Sequence, residues 1–154
     1  MTANCQHFKR PESVLVVVHT RDGQVLVMER ASPRGFWQSV TGSLREGESA
    51  EQAAWRELRE ETGFQTGQLI DCQRTNSFTI LPEWRSRYAP EVQENTEYVF
   101  RFRVENAAVP VLSQSEHVQA QWLPRDEAAS RVSSWTNRDA ILDFVPEPVN
   151  DSSG

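Results

Sequence analysis

With 154 residues, 38% of them hydrophobic and 25% charged, the chain has the size and composition of one globular domain. No apolar run approaches the roughly 20 residues of a membrane span, and a net charge of −6 opposes broad nucleic-acid binding, which needs Lys and Arg to neutralise phosphates. The N-terminus lacks the long apolar segment of a secretory signal, and Cys5 and Cys72 do not amount to a disulfide framework, so a cytoplasmic location is expected.

Residues 13–19 (SVLVVVH) and 24–28 (QVLVM) are apolar, β-branched runs and read as strands. Asp22-Gly23 between them tolerates the positive φ of a tight turn, which makes the pair a β-hairpin. Residues 36–41 (FWQSVT) read as a short strand ending at Gly42, and 43–48 as a polar loop. A helix over 50–62 has both ends marked: Ser49 caps it, Gln52 is the reciprocal partner of a capping box, and Gly63 suits the left-handed position after the last turn. Beyond it, 68–72, 75–81 and 97–104 read as strands, 81–95 with Pro82 and Pro90 as a long loop, and 119–123 as another strand. A helix begins in 124–131 with Pro124 in its first turn, and 137–145 forms a terminal helix. A single domain over 1–146 and a frayed tail over 147–154 complete the expected organisation.

Acidic residues concentrate between Arg45 and Glu61, while Lys9, Arg10, Arg30, Arg34, Arg74, Arg85 and Arg87 lie apart from them. Each helical residue advances by roughly 100°, so Glu57, Glu60 and Glu61 share one arc of the helix surface. Carboxylates at these spacings repel one another. Arg56 can offset part of that charge by pairing with Glu60, and a hard, oxygen-seeking cation suits the remainder. Ala50 and Ala53 on the same arc leave room for a metal and phosphate, or serve tight helix packing. An acidic run alone is more often a solvated face.

Gly42, Glu48 and the run Arg56-Glu57-Leu58-Arg59-Glu60-Glu61-Thr62-Gly63-Phe64, at their spacing, match every fixed or class-restricted position of the Nudix box. The chain thus resembles the Nudix hydrolases. The preceding hairpin, FWQSVTGS, the Glu116-His117 pair and the C-terminal SWTNR are similar to the bacterial dihydroneopterin triphosphate pyrophosphatases within that family. The resemblance implies an α/β/α sandwich with a mixed β-sheet and one catalytic loop-helix. It also implies Mg²⁺, which Mn²⁺ can replace, held by Glu57 and Glu61 with Glu60 and Glu116 as further metal ligands or catalytic carboxylates. Arg56 and Glu48 become structural partners that orient the carboxylates. Gly42 and Gly63 supply backbone freedom at the loop entry and the helix exit.

The implied reaction is hydrolysis of 7,8-dihydroneopterin triphosphate to dihydroneopterin phosphate and pyrophosphate, an early step of folate synthesis. A flat heteroaromatic ring binds well between aromatic side chains. Trp37, Phe78 and Trp135 are the candidates, with Ser134 beside Trp135, whereas Trp122 and Trp55 read as core. Lys9, Arg30 and Thr41 are chosen for the triphosphate, with Arg85 and Arg87 behind them. His7, His19 and His117 form no recognisable ligand cluster, so a zinc site is not expected, and both cysteines read as inert thiols. The implied partner is a small-molecule triphosphate, without nucleic acid or membrane; the oligomeric state stays open. Two rivals remain: a housecleaning pyrophosphohydrolase acting on dATP or oxidised dGTP, and a nucleotide-sensing module without catalysis. Loss of box glutamates would mark the latter, and none is lost.

Overall fold

The computed structural model describes residues 8–147, so the calls on Cys5, His7 and the tail 148–154 lie outside the described residues. Strand β1 (Glu12–Thr20) turns at Gly23, φ 86°, into β2 (Gln24–Arg30), as the Asp-Gly signal indicates. The two then diverge. They touch at His19 and Val25, and the space that opens between them is filled by β3 (Trp37–Gln38), paired to β2, and β4 (Val40–Ser43), paired to β1. The single strand expected over 36–41 is therefore two. It breaks at Ser39, whose backbone N–H donates to Asn137 Oδ1 at 2.8 Å instead of to a neighbouring strand.

Helix α1 (Ala50–Thr62) keeps its expected bounds because both end signals act locally. Ser49 Oγ accepts from the Gln52 backbone at 3.1 Å, and Gln52 Oε1 accepts from the Ser49 backbone at 2.9 Å. Gly63 adopts φ 76° and donates to the Arg59 carbonyl. Next, β5 (Gln68–Thr79) is one strand rather than two, kinked by a register shift between Asp71 and Arg74 where Gln73 takes φ 53°. A short 3₁₀ turn, Pro82–Arg87, interrupts the expected loop, and β6 (Glu94–Val104) begins earlier than the apolar pattern indicates. The chain continues through β7 (His117–Pro124), α2 (Arg125–Arg131) and α3 (Trp135–Phe144).

The seven strands form one mixed sheet, with β1 parallel to β6 and antiparallel to its other neighbours. Alternate residues of β1 serve two cores: Val14, Val16 and Val18 pack with Ala53, Ala54 and Leu58 of α1, and Leu15 and Val17 with α2 and α3. Burial on both faces explains why β1 reads as an unbroken apolar run. The result is the expected α/β/α sandwich. Ala53 is part of the core and Ala50 packs against it, so packing is the role of these small residues. Trp55 and Trp122 also pack against this core, though only half-buried. No helix among the described residues is long and apolar enough to cross a membrane.

Candidate active site

Helix α1 presents its carboxylates unequally. Glu57 and Glu61 are buried, at 8% and 0% exposure, while Glu60 stands at the rim near Arg45 and Arg56. The difference follows from the helical wheel: Glu61 lies about 40° from Glu57 on one side and Glu60 about 60° on the other. Arg56 organises the arrangement. Its guanidinium grips Glu48 with two N–O distances of 2.8 Å, donates to Glu57 at 2.6 Å and reaches the Ser43 carbonyl at 3.0 Å. This fork holds Glu48 down to a pKa of about 2. Arg10 adds bonds to the Arg45 and Glu48 carbonyls, pinning the loop before the helix.

Gly42 has a different role from the one expected. It is an ordinary β4 residue without positive φ, and a side chain there would fall onto the Glu57 carboxylate. Glycine is needed because Glu57 lies across its Cα. Gly63 has the expected role, a left-handed helix exit.

Glu61 is the key to what the site can hold. It is fully buried, yet neither carboxylate oxygen has a hydrogen-bond donor among the described residues. Burial, then the nearby Glu57 charge, pushes Glu61 well above the ordinary carboxylate range. Burial also raises Glu57, against the lowering effect of Arg56. Glu61 further groups with Glu116 and His117, with one ligand atom of each within 4.8 Å of the others. A buried, unpaired carboxylate is costly, and a group of two carboxylates with one imidazole fits a divalent cation, which would offset that cost.

His117 is the histidine that stands beside these carboxylates. Its Nε2 lies 3.0 Å from Gln38 Nε2 and 3.6 Å from Glu61 Oε1. Burial and then Arg30 lower its pKa to about 4, so the ring stays neutral and can accept the Gln38 amide proton.

A cavity of about 770 Å³ opens beside this cluster. Lys9, Arg30, Thr41, Phe78, Ser134 and Trp135 all line it, as does Arg87. Trp135 is 52% exposed, in keeping with its polar surroundings. Trp37 is elsewhere: it packs against the α2–α3 core under Arg131, whose guanidinium lies 5.0 Å from the ring. Its backbone exchanges hydrogen bonds with Ser133, so Trp37 supports the segment carrying Trp135 rather than the cavity itself. Arg85 is also absent from the lining. The sequence reading missed Phe36 and Trp84, which pack edge to face at 5.7 Å in the cavity wall with Arg30 over the Trp84 ring. The signal for Trp84 was present, since PEWRSR isolates an indole among polar residues as SSWTNR does.

Comparison with known proteins matches the NUDIX domain over residues 9–144. The chain belongs to the NUDIX family. Within it, the chain is 45% identical over 143 residues to the dihydroneopterin triphosphate diphosphatase of Escherichia coli K12, covering 90% of this chain and 94% of that protein. The Haemophilus influenzae protein of the same name is 36% identical over 143 residues, covering 90% and 89%. The solved structure of the E. coli dihydroneopterin triphosphate pyrophosphohydrolase superposes with a TM-score of 0.84 at 45% identity, covering 90% of this chain and 97% of that one. The NUDIX architecture thus accounts for the mixed sheet, its flanking helices and the box helix α1.

Proposed function

We propose that the protein hydrolyses 7,8-dihydroneopterin triphosphate to dihydroneopterin phosphate and pyrophosphate, with Mg²⁺ as the working cation and Mn²⁺ as a substitute. The observation that carries this reading is one cavity joining a buried acidic cluster to an exposed indole, in a chain 45% identical to an enzyme named for that substrate. Glu57, Glu61 and Glu116 hold the cation, and Glu60 at the rim is the further carboxylate. A bound cation would offset phosphate charge and lower the pKa of a water, so that its deprotonated form can serve as the nucleophile toward phosphorus.

The chain's own residues do the rest. Arg56 and Glu48 keep Glu57 aimed over Gly42. Lys9, Arg30 and Arg87 supply positive charge along the cavity and take the triphosphate tail. Thr41 lies beside them on β4, and Phe78, Ser134 and Trp135 border the space for the ring. The small-molecule triphosphate is the partner this cavity suits.

The test measures kcat/KM with Mg²⁺ for dihydroneopterin triphosphate and for each common nucleoside triphosphate, identifying the released phosphate species. The pterin should lead and pyrophosphate should appear. A nucleoside triphosphate exceeding the pterin would replace it as the substrate.

A further inference from the structure

The cavity wall contains a second acidic group that hydrolysis leaves unused. Glu97, on β6, is 6% exposed and lines the cavity. Burial raises its pKa, and the groups that partly offset this are the Thr136 hydroxyl and the Asn76 Nδ2 amide at 3.4 Å, both neutral. A carboxylate offers about four acceptor positions, so acceptor capacity remains. Two residues earlier on the same face, Asn95 is 3% exposed and gives Nδ2 to Ser13 Oγ at 2.7 Å. Its Oδ1 is buried without a donor.

The neighbouring Asn137, by contrast, is fully engaged: Oδ1 accepts from the Ser39 N–H at 2.8 Å and Nδ2 donates to Ser39 Oγ at 3.0 Å. Glu97 and Asn95 therefore offer acceptors, one of them a carboxylate. Their complement is a ligand edge that carries N–H donors.

We propose that Glu97, with Asn95 Oδ1 beside it, reads the 2-amino-4-oxopyrimidine edge of the substrate ring, the carboxylate accepting from the ring N3–H and the 2-amino group. This rests on the pterin triphosphate reading for its natural ligand. Two parallel N–H donors meet two carboxylate oxygens in the fork by which a carboxylate grips a guanidinium. Thr136, which contacts Glu97, directly follows Trp135 at the start of α3, so the group that reads the edge and the indole for the ring face are neighbours. Guanine carries the equivalent donor edge, and hypoxanthine lacks its 2-amino group.

The experiment compares kcat/KM for dGTP and dITP, with dihydroneopterin triphosphate alongside, in the wild-type protein and in Glu97→Gln at saturating Mg²⁺. A hydrogen bond to a charged group corresponds to roughly a ten- to hundred-fold effect. The wild type should favour dGTP over dITP by that factor, and Glu97→Gln should erase the preference, lowering dGTP turnover more than that of dITP, which keeps only the ring N–H. Equal rates for the two nucleotides in the wild type overturn the proposal however the variant behaves. So does an intact preference in a Glu97→Gln protein whose melting temperature is unshifted. If dihydroneopterin triphosphate is not hydrolysed but the dGTP preference and its loss are both seen, the substrate reading falls and the edge reading stands.

Discussion

Gly42→Ala tests how the acidic site is aimed. The added methyl would land on the Glu57 carboxylate, while the backbone at 42 has no positive φ that alanine would strain. The strand itself gains slightly, by about 0.5–1 kcal/mol, from replacing glycine. Against this, Glu57 must leave its rotamer, at about 0.5–1.5 kcal/mol, and its 2.6 Å contact with Arg56 must break or stretch. Net stability should change by under about 2 kcal/mol, or roughly 6 °C in Tm for a chain of this length. Activity should suffer far more, because a displacement of about 1 Å at a reacting centre costs on the order of 100-fold. Thermal unfolding in EDTA and turnover against a Mg²⁺ titration should therefore separate: a near-native Tm, kcat lower by roughly 100-fold, and a Mg²⁺ requirement raised about ten- to hundred-fold. Near-wild-type kcat at ordinary Mg²⁺ would refute the argument that Glu57 must lie over Gly42. A Tm fall beyond about 10 °C would show that position 42 supports the fold instead.

Glu61→Gln replaces a buried carboxyl group that has no donor, so without metal its Tm should equal or exceed that of the wild type while turnover falls by orders of magnitude; a clear loss of stability in EDTA would contradict this. Added Mg²⁺ should raise the wild-type Tm, by an amount equivalent to about 2.7 kcal/mol at a hundredfold excess over Kd, and should leave the Tm of Glu61→Gln nearly unmoved. Glu48, held down to about 2 by Arg56, contributes stability that is present above its ordinary value of 4.5 and lost as pH falls through about 2. The stability advantage of wild type over Glu48→Gln should therefore shrink from pH 5 towards pH 2, and a constant difference in denaturant midpoint across that range would exclude the linkage. Trp135→Ala should raise KM for the pterin triphosphate by roughly fivefold with little change in Tm, because the indole is 52% exposed. A large fall in Tm without a substrate-selective change in KM would make Trp135 a packing residue.

What the sequence determined by itself was local. The capping box at Ser49 and Gln52, the left-handed exit at Gly63 and the Asp-Gly turn act over a few residues of backbone, so the bounds of α1 and the β1–β2 hairpin are legible without the fold. The helical period likewise placed Glu57, Glu60 and Glu61 on one arc. Which of them is buried was not legible, because burial depends on what covers the arc; β4 and Glu116 meet Glu57 and Glu61, while Glu60 meets solvent and two arginines. Tertiary structure also decided the cavity. Glu97 looks like any strand carboxylate in the sequence, and only the register of β6 against β1 and β5, with α3 laid across that face, buries it. Trp37 and Trp135 both resemble ring-binding candidates in one dimension, yet one turns into a core and the other stands at the cavity, since strand pairing at β3 and the cap of α3 aim them differently. Backbone conformation responds to near neighbours in the chain, whereas a binding cavity is made by residues far apart in sequence whose faces meet only when the sheet and its helices have packed.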